Sequence, residues 1–293
     1  AMSGFEQLLR ERIGLDAASI GSSSIQRTLR LRMKSLGLRS LEEYRRRLQS
    51  SRAEWTELVE ALVVTETWFF RDQEAFAALV GLVRQEWLQA NRAGQVRLLN
   101  RPCSSGEEPY SMAMALLDAG VPAERFSIEA IDLSARALAR ARQGLYGRNS
   151  FRGQDLAFRE RWFQPVKDGY LLAPVIRRCV RFAQANLLSP EFCAGSVPYD
   201  FVFCRNLLIY FDRPTQARAL ARLQGLLCPL GVLFVGAAEL PLVLAQSFAS
   251  ANLPLAFACR RADGVERALQ HSRPAALNRS SPGSGGPARN GAV

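Results

Sequence analysis

The residues best placed to do chemistry lie in a turn of small side chains between a predicted strand and a predicted helix. Residues 103–106 read Cys-Ser-Ser-Gly and connect the apolar run 96–100 to the apolar run 112–117. Open α/β folds bind nucleotide-like cofactors at such turns, because small residues let a ligand approach the backbone. Two carboxylates, Glu107 and Glu108, stand at the helix start and would repel a phosphate. The turn therefore favours a cofactor with ribose hydroxyls or a positive charge, and S-adenosylmethionine (SAM) has both.

A third carboxylate follows the next predicted strand. Residues 127–132 are typical of a buried strand that ends at Asp132, and residues 134–145 are typical of the helix after it. An acid at the end of the second strand, roughly 20 residues beyond the turn, commonly binds ribose hydroxyls in dinucleotide-binding folds. A helix N-cap is the alternative role for Asp132. The turn that precedes this strand favours contact with a ligand.

Four blocks of sequence carry a resemblance to a known family. They read TETWFFR at 65–71, CSSGEEPYS at 103–111, NLL at 186–188 and FCRNLLIYFD at 203–212. In order and spacing they resemble the CheR family of chemotaxis receptor methyltransferases, SAM-dependent enzymes that esterify receptor glutamates. The resemblance implies a protein-glutamate O-methyltransferase. Such an enzyme uses SAM, forms glutamyl methyl esters on chemoreceptor-type signalling proteins, and releases S-adenosylhomocysteine.

The resemblance also implies roles for single residues. Arg71 is expected to clamp the SAM carboxylate or the reacting glutamate, and Tyr210 to border the methyl-transfer site, so these two are the candidate catalytic residues. A salt bridge between domains is the alternative for Arg71, and a packed tyrosine is the alternative for Tyr210. The residues expected to bind the cofactor are Thr65, Thr67, Arg71, Gly106, Glu107, Asp132, Asn186, Leu187, Arg205 and Asn206.

Within this set, the resemblance assigns different residues to different parts of SAM. Glu107 is expected at the positive methionyl end and Asp132 at the ribose, while Asn186 and Leu187 are expected at the edge and face of the adenine. The family often has Asn at the position of Thr65. Because Thr supplies only one donor, that contact departs from the family pattern.

The amino-acid composition disfavours several catalytic mechanisms and kinds of site. The only histidine, His271, lies in a segment of loop composition, which disfavours a histidine general base. Methyl transfer from a sulfonium to a carboxylate needs no base, because the carboxylate is already ionised near pH 7. The six cysteines form no Cys-x-x-Cys pair and no signal peptide is visible, so we expect reduced thiols in the cytoplasm, no disulfides and no metal. No apolar run approaches the roughly 20 residues of a membrane span.

The net charge of +11 comes almost entirely from arginine. Arg27, Arg30 and Lys34 recur at helical spacing and share one helix face, and Arg45 and Arg46 lie on the next predicted helix. A solvated face is one interpretation of this cluster. We favour a docking site for the acidic, cytoplasmic helical region of a chemoreceptor-type protein, a region that the family's helical domain is expected to bind. We expect a monomer that binds neither nucleic acid nor membrane.

The elements that position these residues fall into three segments. Residues 1–80 lack strand alternation and predict an all-α domain, and the resemblance implies that this domain docks the receptor. Residues 85–262 alternate strands with helices, which predicts a doubly wound α/β sheet. The resemblance implies that this sheet is of the Rossmann-like, SAM-dependent methyltransferase type. The family has a small antiparallel β insertion near 147–180. Residues 263–293 are rich in Pro, Gly and Ser and predict a flexible tail or linker, so we expect the natural protein to continue into a further domain.

The predicted boundaries can be stated residue by residue. Ser24 is the predicted N-cap of the first helix, and Ser40 with Glu43 has the spacing of a capping box at the second. The predicted helices of the first segment are 25–36, 41–48 and 53–64. The predicted strands are 96–100, 127–132, 201–205 and 231–236, with 256–260 closing the sheet as an edge strand.

Two other functions compete with receptor methylation. A nucleic-acid methyltransferase would agree with the positive charge, but it commonly has an Asn/Asp-Pro-Pro-Tyr motif for a flipped base. Residues 205–208 read Arg-Asn-Leu-Leu at the equivalent position, which disfavours it. The third hypothesis is a catalytically silent SAM-binding regulatory module. The combination of Arg71, Asp132, Arg205 and Tyr210 argues against that hypothesis.

Overall fold

Five helices form the amino-terminal part of the chain, which confirms the predicted all-α class, and the first two of them were not predicted. The computed structural model describes residues 2–63, 66–90, 94–153, 155–192 and 195–263. The helices of the first range pack around a core of their own that includes Phe5, Leu29, Tyr44 and Leu58. They are α1 (Met2–Ile13), α2 (Ala17–Ile20), α3 (Ser22–Ser35), α4 (Leu41–Ser50) and α5 (Arg52–Leu62).

Side chains at the helix starts determine where these helices begin. The Ser40 hydroxyl accepts a hydrogen bond from the N–H of Glu43, and the Glu43 carboxylate accepts one from the N–H of Ser40, so the capping box forms as predicted. The prediction that Ser24 caps α3 was wrong, because α3 begins at Ser22 after Gly21. Gly21 has a φ of 89°, and its carbonyl already accepts the N–H of Ser24, so the helix starts before Ser24.

The second part of the chain is an α/β unit with a seven-stranded sheet. The order in this sheet is β6-β2-β1-β7-β8-β10-β9, and the strands from β6 to β8 run parallel. The strands of the described chain are β1 (Val96–Asn100), β2 (Phe126–Asp132), β3 (Leu145–Tyr146), β4 (Phe163–Val166), β5 (Gly169–Leu172), β6 (Val180–Gln184), β7 (Tyr199–Phe203), β8 (Leu227–Phe234), β9 (Phe248–Ser250) and β10 (Ala258–Arg261).

Helices cover both faces of this sheet. The two neighbours Leu98 and Leu99 of β1 are fully buried in different cores, which is the alternation of a strand buried on both faces. One core includes Phe76 of α6, and the other includes Leu220 of α11. The helices are α6 (Gln73–Leu82), α7 (Glu107–Asp118), α8 (Ala135–Gln143), α9 (Ala157–Trp162), α10 (Pro174–Arg178), α11 (Arg213–Leu226) and α12 (Leu240–Leu244).

The predicted edge strand has a neighbour on each side. β10 pairs antiparallel with β8, and it also pairs antiparallel with the short strand β9, which the sequence analysis did not predict. The edge assignment of 256–260 was therefore wrong. Three residues, Phe248 to Ser250, are too few to show the alternation from which a strand is read.

A small antiparallel sheet, in the order β3-β5-β4, is inserted between β2 and β6, as expected. Its aromatic side chains pack together, and Phe69 from the segment before α6 joins them. The ring of Phe69 lies 4.8 Å from that of Tyr146, 5.3 Å from that of Phe151 and 5.0 Å from that of Phe163. The insertion thus holds the chain that links the helical part to the sheet. Within the described ranges, no helix has both the length and the apolar character to cross a membrane.

Candidate functional site

A pocket lies at the carboxyl ends of the central strands. β1 has β2 on one side and β7 on the other, so the strand order reverses here, and open α/β sheets bind ligands at that point. The pocket opens between this edge of the sheet and the helical part of the chain. Its apolar wall comes from the helical part and includes Leu15, Ile20, Leu62 and Val63.

Six of the residues predicted to act at the site line this pocket. They are Thr67, Arg71, Asp132, Arg205, Asn206 and Tyr210. Gly106, Glu107, Asn186 and Leu187 are not part of its lining, although all four have described positions nearby in the fold. Thr65 lies outside the described residues. Glu66, Glu108 and Leu207 line the pocket as well, although none of the three is among the residues predicted to bind the cofactor.

Asp132 ends β2 and is 4% exposed. One carboxylate oxygen accepts the N–H of Ser104 at 2.7 Å, and the other accepts the N–H of Ser134 at 2.9 Å. Ser104 belongs to the turn after β1, and Ser134 is the N-cap of α8. The carboxylate is therefore fixed between two loops, and each oxygen retains a lone pair for a hydroxyl in the pocket.

The two acids at the start of α7 have different surroundings. Glu107 is 2% exposed, and its carboxylate accepts hydrogen bonds from the hydroxyls of Ser105 and Ser150 at 2.7 and 2.8 Å. Burial raises the pKa of Glu107 above its ordinary 4.5, although these serine hydrogen bonds act in the opposite direction. Adjacent helical residues point about 100° apart. Glu108 consequently faces the pocket while Glu107 faces the interior.

Gly106 is the N-cap of α7 and has a φ of 94°. A Cβ at this position would lie 2.9 Å from the Ala141 side chain and 3.1 Å from the Tyr146 hydroxyl. Glycine is needed here for the conformation of the turn and for the close approach of α8.

Arg205, directly after β7, is the centre of a buried ion-pair network. Its guanidinium pairs with Glu108 at 2.5 Å and with Asp72, and it donates to the backbone carbonyl of Arg71 at 3.0 Å. Glu108 also accepts from the amide of Asn100 at 2.6 Å. Arg205 thus joins β7, α7 and the segment before α6. Its Nε is buried and has no hydrogen-bond partner in the described chain.

Glu239, which follows β8, is a residue that sequence reasoning missed. It is 0% exposed, and its two oxygens accept four backbone N–H groups, at 2.7 to 2.8 Å. The donors are Gly236, Asn206, Leu207 and Leu208, so one carboxylate holds the turn that carries Asn206 into the pocket. The available signal was an acid in an otherwise apolar stretch, just beyond a predicted strand.

Asn186 and Leu187 follow β6. The Asn186 amide donates to the backbone carbonyl of Arg12 in α1 at 2.6 Å, and its oxygen accepts the N–H of Leu188 at 3.0 Å. Leu187 is fully buried in the core beneath the sheet. In this structure Asn186 links the sheet to the helical part.

Arg71 and Tyr210 line the pocket from two different segments. The Arg71 guanidinium carbon lies 4.5 Å from the centre of the Trp68 ring. Tyr210 sits in a turn beside the helical part, and its backbone carbonyl accepts the N–H of Asp16 at 2.8 Å. Within the described ranges the Tyr210 hydroxyl makes no hydrogen bond, which leaves it open to a ligand.

The basic residues of the helical part are exposed, namely Arg27, Arg30, Lys34, Arg45 and Arg46. None of the five forms an ion pair with another described residue. The neighbouring Arg32 differs, because it is partly buried and pairs with Glu54 and Glu57 at 2.6 and 3.2 Å. These five side chains are therefore available to an acidic partner.

The residues of the pocket fit the chemical groups of SAM. Three acids (Glu66, Glu108, Asp132) and two arginines (Arg71, Arg205) line it, and Arg205 is neutralised by acids of this chain. The sulfonium and ammonium groups of SAM can pair with the carboxylates, and its own carboxylate can pair with Arg71. Its ribose diol can donate hydrogen bonds to Asp132. The apolar side chains of the helical part suit an adenine face.

The fold and the pocket define an α/β protein that binds a nucleotide-like cofactor at the switch point of its sheet. Residues 65–255 match the CheR methyltransferase SAM-binding domain, and residues 1–63 match the CheR methyltransferase all-alpha domain. The chain therefore belongs to the CheR methyltransferase family. Its second part is the SAM-binding domain of that family.

The relatives are named methyltransferases. The chain is 49% identical over 274 residues to the probable biofilm formation methyltransferase WspC of Pseudomonas aeruginosa, covering 94% of this chain and 64% of that protein. It is 48% identical over 254 residues to WspC of Pseudomonas putida, covering 84% of this chain and 60% of that protein. It is 32% identical over 240 residues to the chemotaxis protein methyltransferase of Escherichia coli, covering 80% of this chain and 82% of that protein. The chain spans 64% and 60% of the lengths of the two WspC proteins.

Proposed function

We propose that this chain transfers the methyl group of SAM to glutamate carboxylates of a chemoreceptor-type signalling protein. The products are glutamyl methyl esters and S-adenosylhomocysteine. The observation that supports this most directly is that Asp132, Arg71 and Tyr210 line one pocket at the carboxyl edge of the sheet in a member of the CheR family. These residues come from three separate segments of the chain.

In the proposed reaction, a glutamate oxygen forms a C–O bond to the methyl carbon as the C–S bond breaks, and the sulfonium becomes a neutral thioether. The substrate loses no proton, which agrees with the absence of histidine from the described residues of the pocket lining. Asp132 would hold the ribose, Glu108 or Glu66 would face the cationic end, and Arg71 would bind a carboxylate. Tyr210 would orient the incoming glutamate. Catalysis then rests on alignment and on removal of water from the nucleophile.

We propose that the partner is the cytoplasmic helical region of the receptor, which presents acidic residues to the exposed basic face of α3 and α4. In this arrangement the enzyme acts in the cytoplasm as a monomer and binds the receptor through Arg27, Arg30, Lys34, Arg45 and Arg46. Exposed charges on such a face increase the association rate and lose strength as salt rises.

Incubation with SAM labelled with tritium in its methyl group, and with the cytoplasmic fragment of a chemoreceptor from the same organism, tests the proposal. Label should appear on the fragment and leave as volatile methanol in alkali, because a glutamyl ester hydrolyses there. The Arg71→Ala variant should lose turnover, and Arg27→Glu combined with Arg30→Glu should lower methylation while S-adenosylhomocysteine still binds. Base-stable label on nucleic acid, or binding without transfer to any receptor fragment, would contradict the proposal.

A further inference from the structure

Two arginine side chains share one tryptophan at the edge of the pocket. The guanidinium carbons of Arg71 and Arg152 each lie 4.5 Å from the centre of the half-buried Trp68 ring. Arginine above an indole is held by the negative potential of the ring face. Trp68 therefore offers a fixed site to the side chain of Arg71, which lines the pocket.

The two arginines differ in their other contacts. Arg152 donates to the Glu66 carboxylate at 2.8 Å and to the carbonyl of Asn149 at 3.2 Å. The Arg71 guanidinium has neither a carboxylate nor a carbonyl partner among the described residues. Its charge and its five N–H donors are thus available to a ligand. Among the described residues, the Trp68 ring is what the Arg71 guanidinium packs against.

The backbone around Arg71 is fixed by separate contacts. The N–H of Phe69 donates to the carbonyl of Ser150 at 2.9 Å, and the N–H of Phe70 donates to the hydroxyl of Ser111 at 2.9 Å. Arg205 binds the Arg71 carbonyl and the Asp72 carboxylate. Loss of the Trp68 ring would leave this backbone in place, and only the direction of the Arg71 side chain would become free.

We propose that Trp68 is a positioning residue that holds the Arg71 guanidinium ready for a carboxylate in the pocket. Without the ring, Arg71 would lose its contact and would also be repelled by Arg152, which stands at the same indole. The carboxylate can belong to the methionyl group of SAM or to the glutamate that is methylated. The second source rests on the function proposed above, whereas the first requires only that the chain bind SAM.

Calorimetric titration with two adenosyl ligands tests the role of Trp68. S-adenosylhomocysteine carries the methionyl carboxylate, and 5′-methylthioadenosine lacks it. We expect Trp68→Leu to weaken S-adenosylhomocysteine binding about tenfold, or ~1.4 kcal/mol, and to leave methylthioadenosine binding unchanged. Trp68→Phe keeps a ring face and should restore most of the loss. Trp162→Leu is the matched control, because its ring lies 5.2 Å from the Arg161 guanidinium carbon and does not line the pocket.

A second arm distinguishes the two carboxylates. If Arg71 binds the carboxylate of the substrate glutamate, Trp68→Leu should bind both adenosyl ligands normally. It should then show a raised KM or a lowered kcat in receptor methylation, and Trp68→Phe should restore the activity. The proposal is overturned if Trp68→Leu changes neither binding nor methylation. It is also overturned if Trp68→Phe is as impaired as Trp68→Leu, or if Trp162→Leu has the same effect. A wild-type chain that binds S-adenosylhomocysteine but methylates no receptor would refute the proposed function, and the ligand comparison would still decide the role of Trp68.

Discussion

Asp132 combines a structural and a binding role in one carboxylate. Its oxygens accept the N–H groups of Ser104 and Ser134, which fixes the turn after β1 and the start of α8 relative to each other. Asp132 also lines the pocket. A ribose diol that reaches its carboxylate would meet an ionised acceptor that is already oriented, and hydrogen bonds to charged acceptors are stronger than those between neutral groups.

We expect Asp132→Asn to weaken S-adenosylhomocysteine binding by about 10- to 100-fold, since a hydrogen bond to a charged group contributes about 1.5–3 kcal/mol. The amide keeps one oxygen for a backbone N–H but loses the charge. Calorimetric titration measures the affinity, and thermal unfolding reports the separate structural effect. Asp118→Asn is a suitable control, because Asp118 accepts from Trp162 and Arg161 away from the pocket. Unchanged affinity in Asp132→Asn would remove this residue from the ribose site.

At the scale of single residues, residue types and their spacing predicted much of the candidate site. Asp132, Arg205 and Tyr210 were predicted from their positions after strands or in a family block, and all three line the pocket. The sequence alone could not show which of Glu107 and Glu108 faces the pocket, because that depends on the rotation of α7 against the sheet. Most partners of the buried Glu239 carboxylate could not be predicted either, since three of the four are backbone groups of a loop 31 to 33 residues earlier.

At the scale of elements, the turn after β7 depends on an acid that follows another strand. Asn206 has a φ of 57°, in the left-handed region, which Asn adopts more often than most other non-glycine residues. The N–H groups of Asn206, Leu207 and Leu208 all point to the Glu239 carboxylate. The end of β8 thus shapes one wall of the pocket.

We expect Glu239→Gln to lower the free energy of unfolding by about 3 kcal/mol, because a glutamine amino group replaces one acceptor oxygen and leaves buried N–H groups unpaired. Binding of S-adenosylhomocysteine should weaken as well, since the turn carries pocket residues. Urea denaturation and titration measure the two effects. Glu86→Gln is the control, because its ion pair with Arg260 is exposed and should contribute less than about 1 kcal/mol. Equal stability of the two variants would contradict the role of Glu239.

The helical part contains a buried ion pair that should make it sensitive to acid. Burial alone would raise the pKa of Glu54, but hydrogen bonds from Arg32 and Tyr44 lower it below its ordinary 4.5. A carboxyl whose pKa is lower in the folded state stabilises the fold above its unfolded pKa. That stabilisation is lost as pH falls through the folded pKa. The sensitive range therefore lies below pH 4.5.

Glu54→Gln should lower the free energy of unfolding at pH 7 by about 2 kcal/mol. It should also flatten the dependence of stability on pH below 4.5 relative to the wild type. Urea denaturation followed by circular dichroism at pH 7, 4 and 3 measures both effects. Glu42→Gln, an exposed substitution on α4, should keep the wild-type profile. The interpretation fails if Glu54→Gln loses stability with acid as steeply as the wild type.

Elements with strong local signals were predicted well, and weak ones were not. The periodicity of β1 and the capping box of α4 gave boundaries close to those observed, because both depend on neighbouring residues. The strand β9 and its place outside β10 depend on pairing between distant segments. The same holds for the order of the sheet, in which β7 joins β1 across a long stretch of chain.

At the scale of the whole molecule, the helical part closes one side of the pocket and is tied to the sheet beside it. Glu60 of α5 accepts the hydroxyl of Ser134 at 2.5 Å and the N–H of Arg136 at 3.1 Å, at the start of α8. Glu57 pairs with the Arg136 guanidinium at 2.6 Å. Because the N–H of Ser134 also binds Asp132, the contact between the two parts lies one residue from the candidate ribose acid.

We expect the double variant Glu57→Gln and Glu60→Gln to bind S-adenosylhomocysteine about fivefold more weakly, or ~1 kcal/mol, because the helical part would close less firmly over the pocket. The wild-type affinity should fall with added salt more steeply than that of the variant, since exposed ion pairs are screened. Calorimetric titration at low and high salt measures both. The matched control, Glu11→Gln with Glu42→Gln, removes the same charge from exposed sites in the helical part. If the control and the variant lose affinity equally, net charge rather than the contact with α8 is responsible.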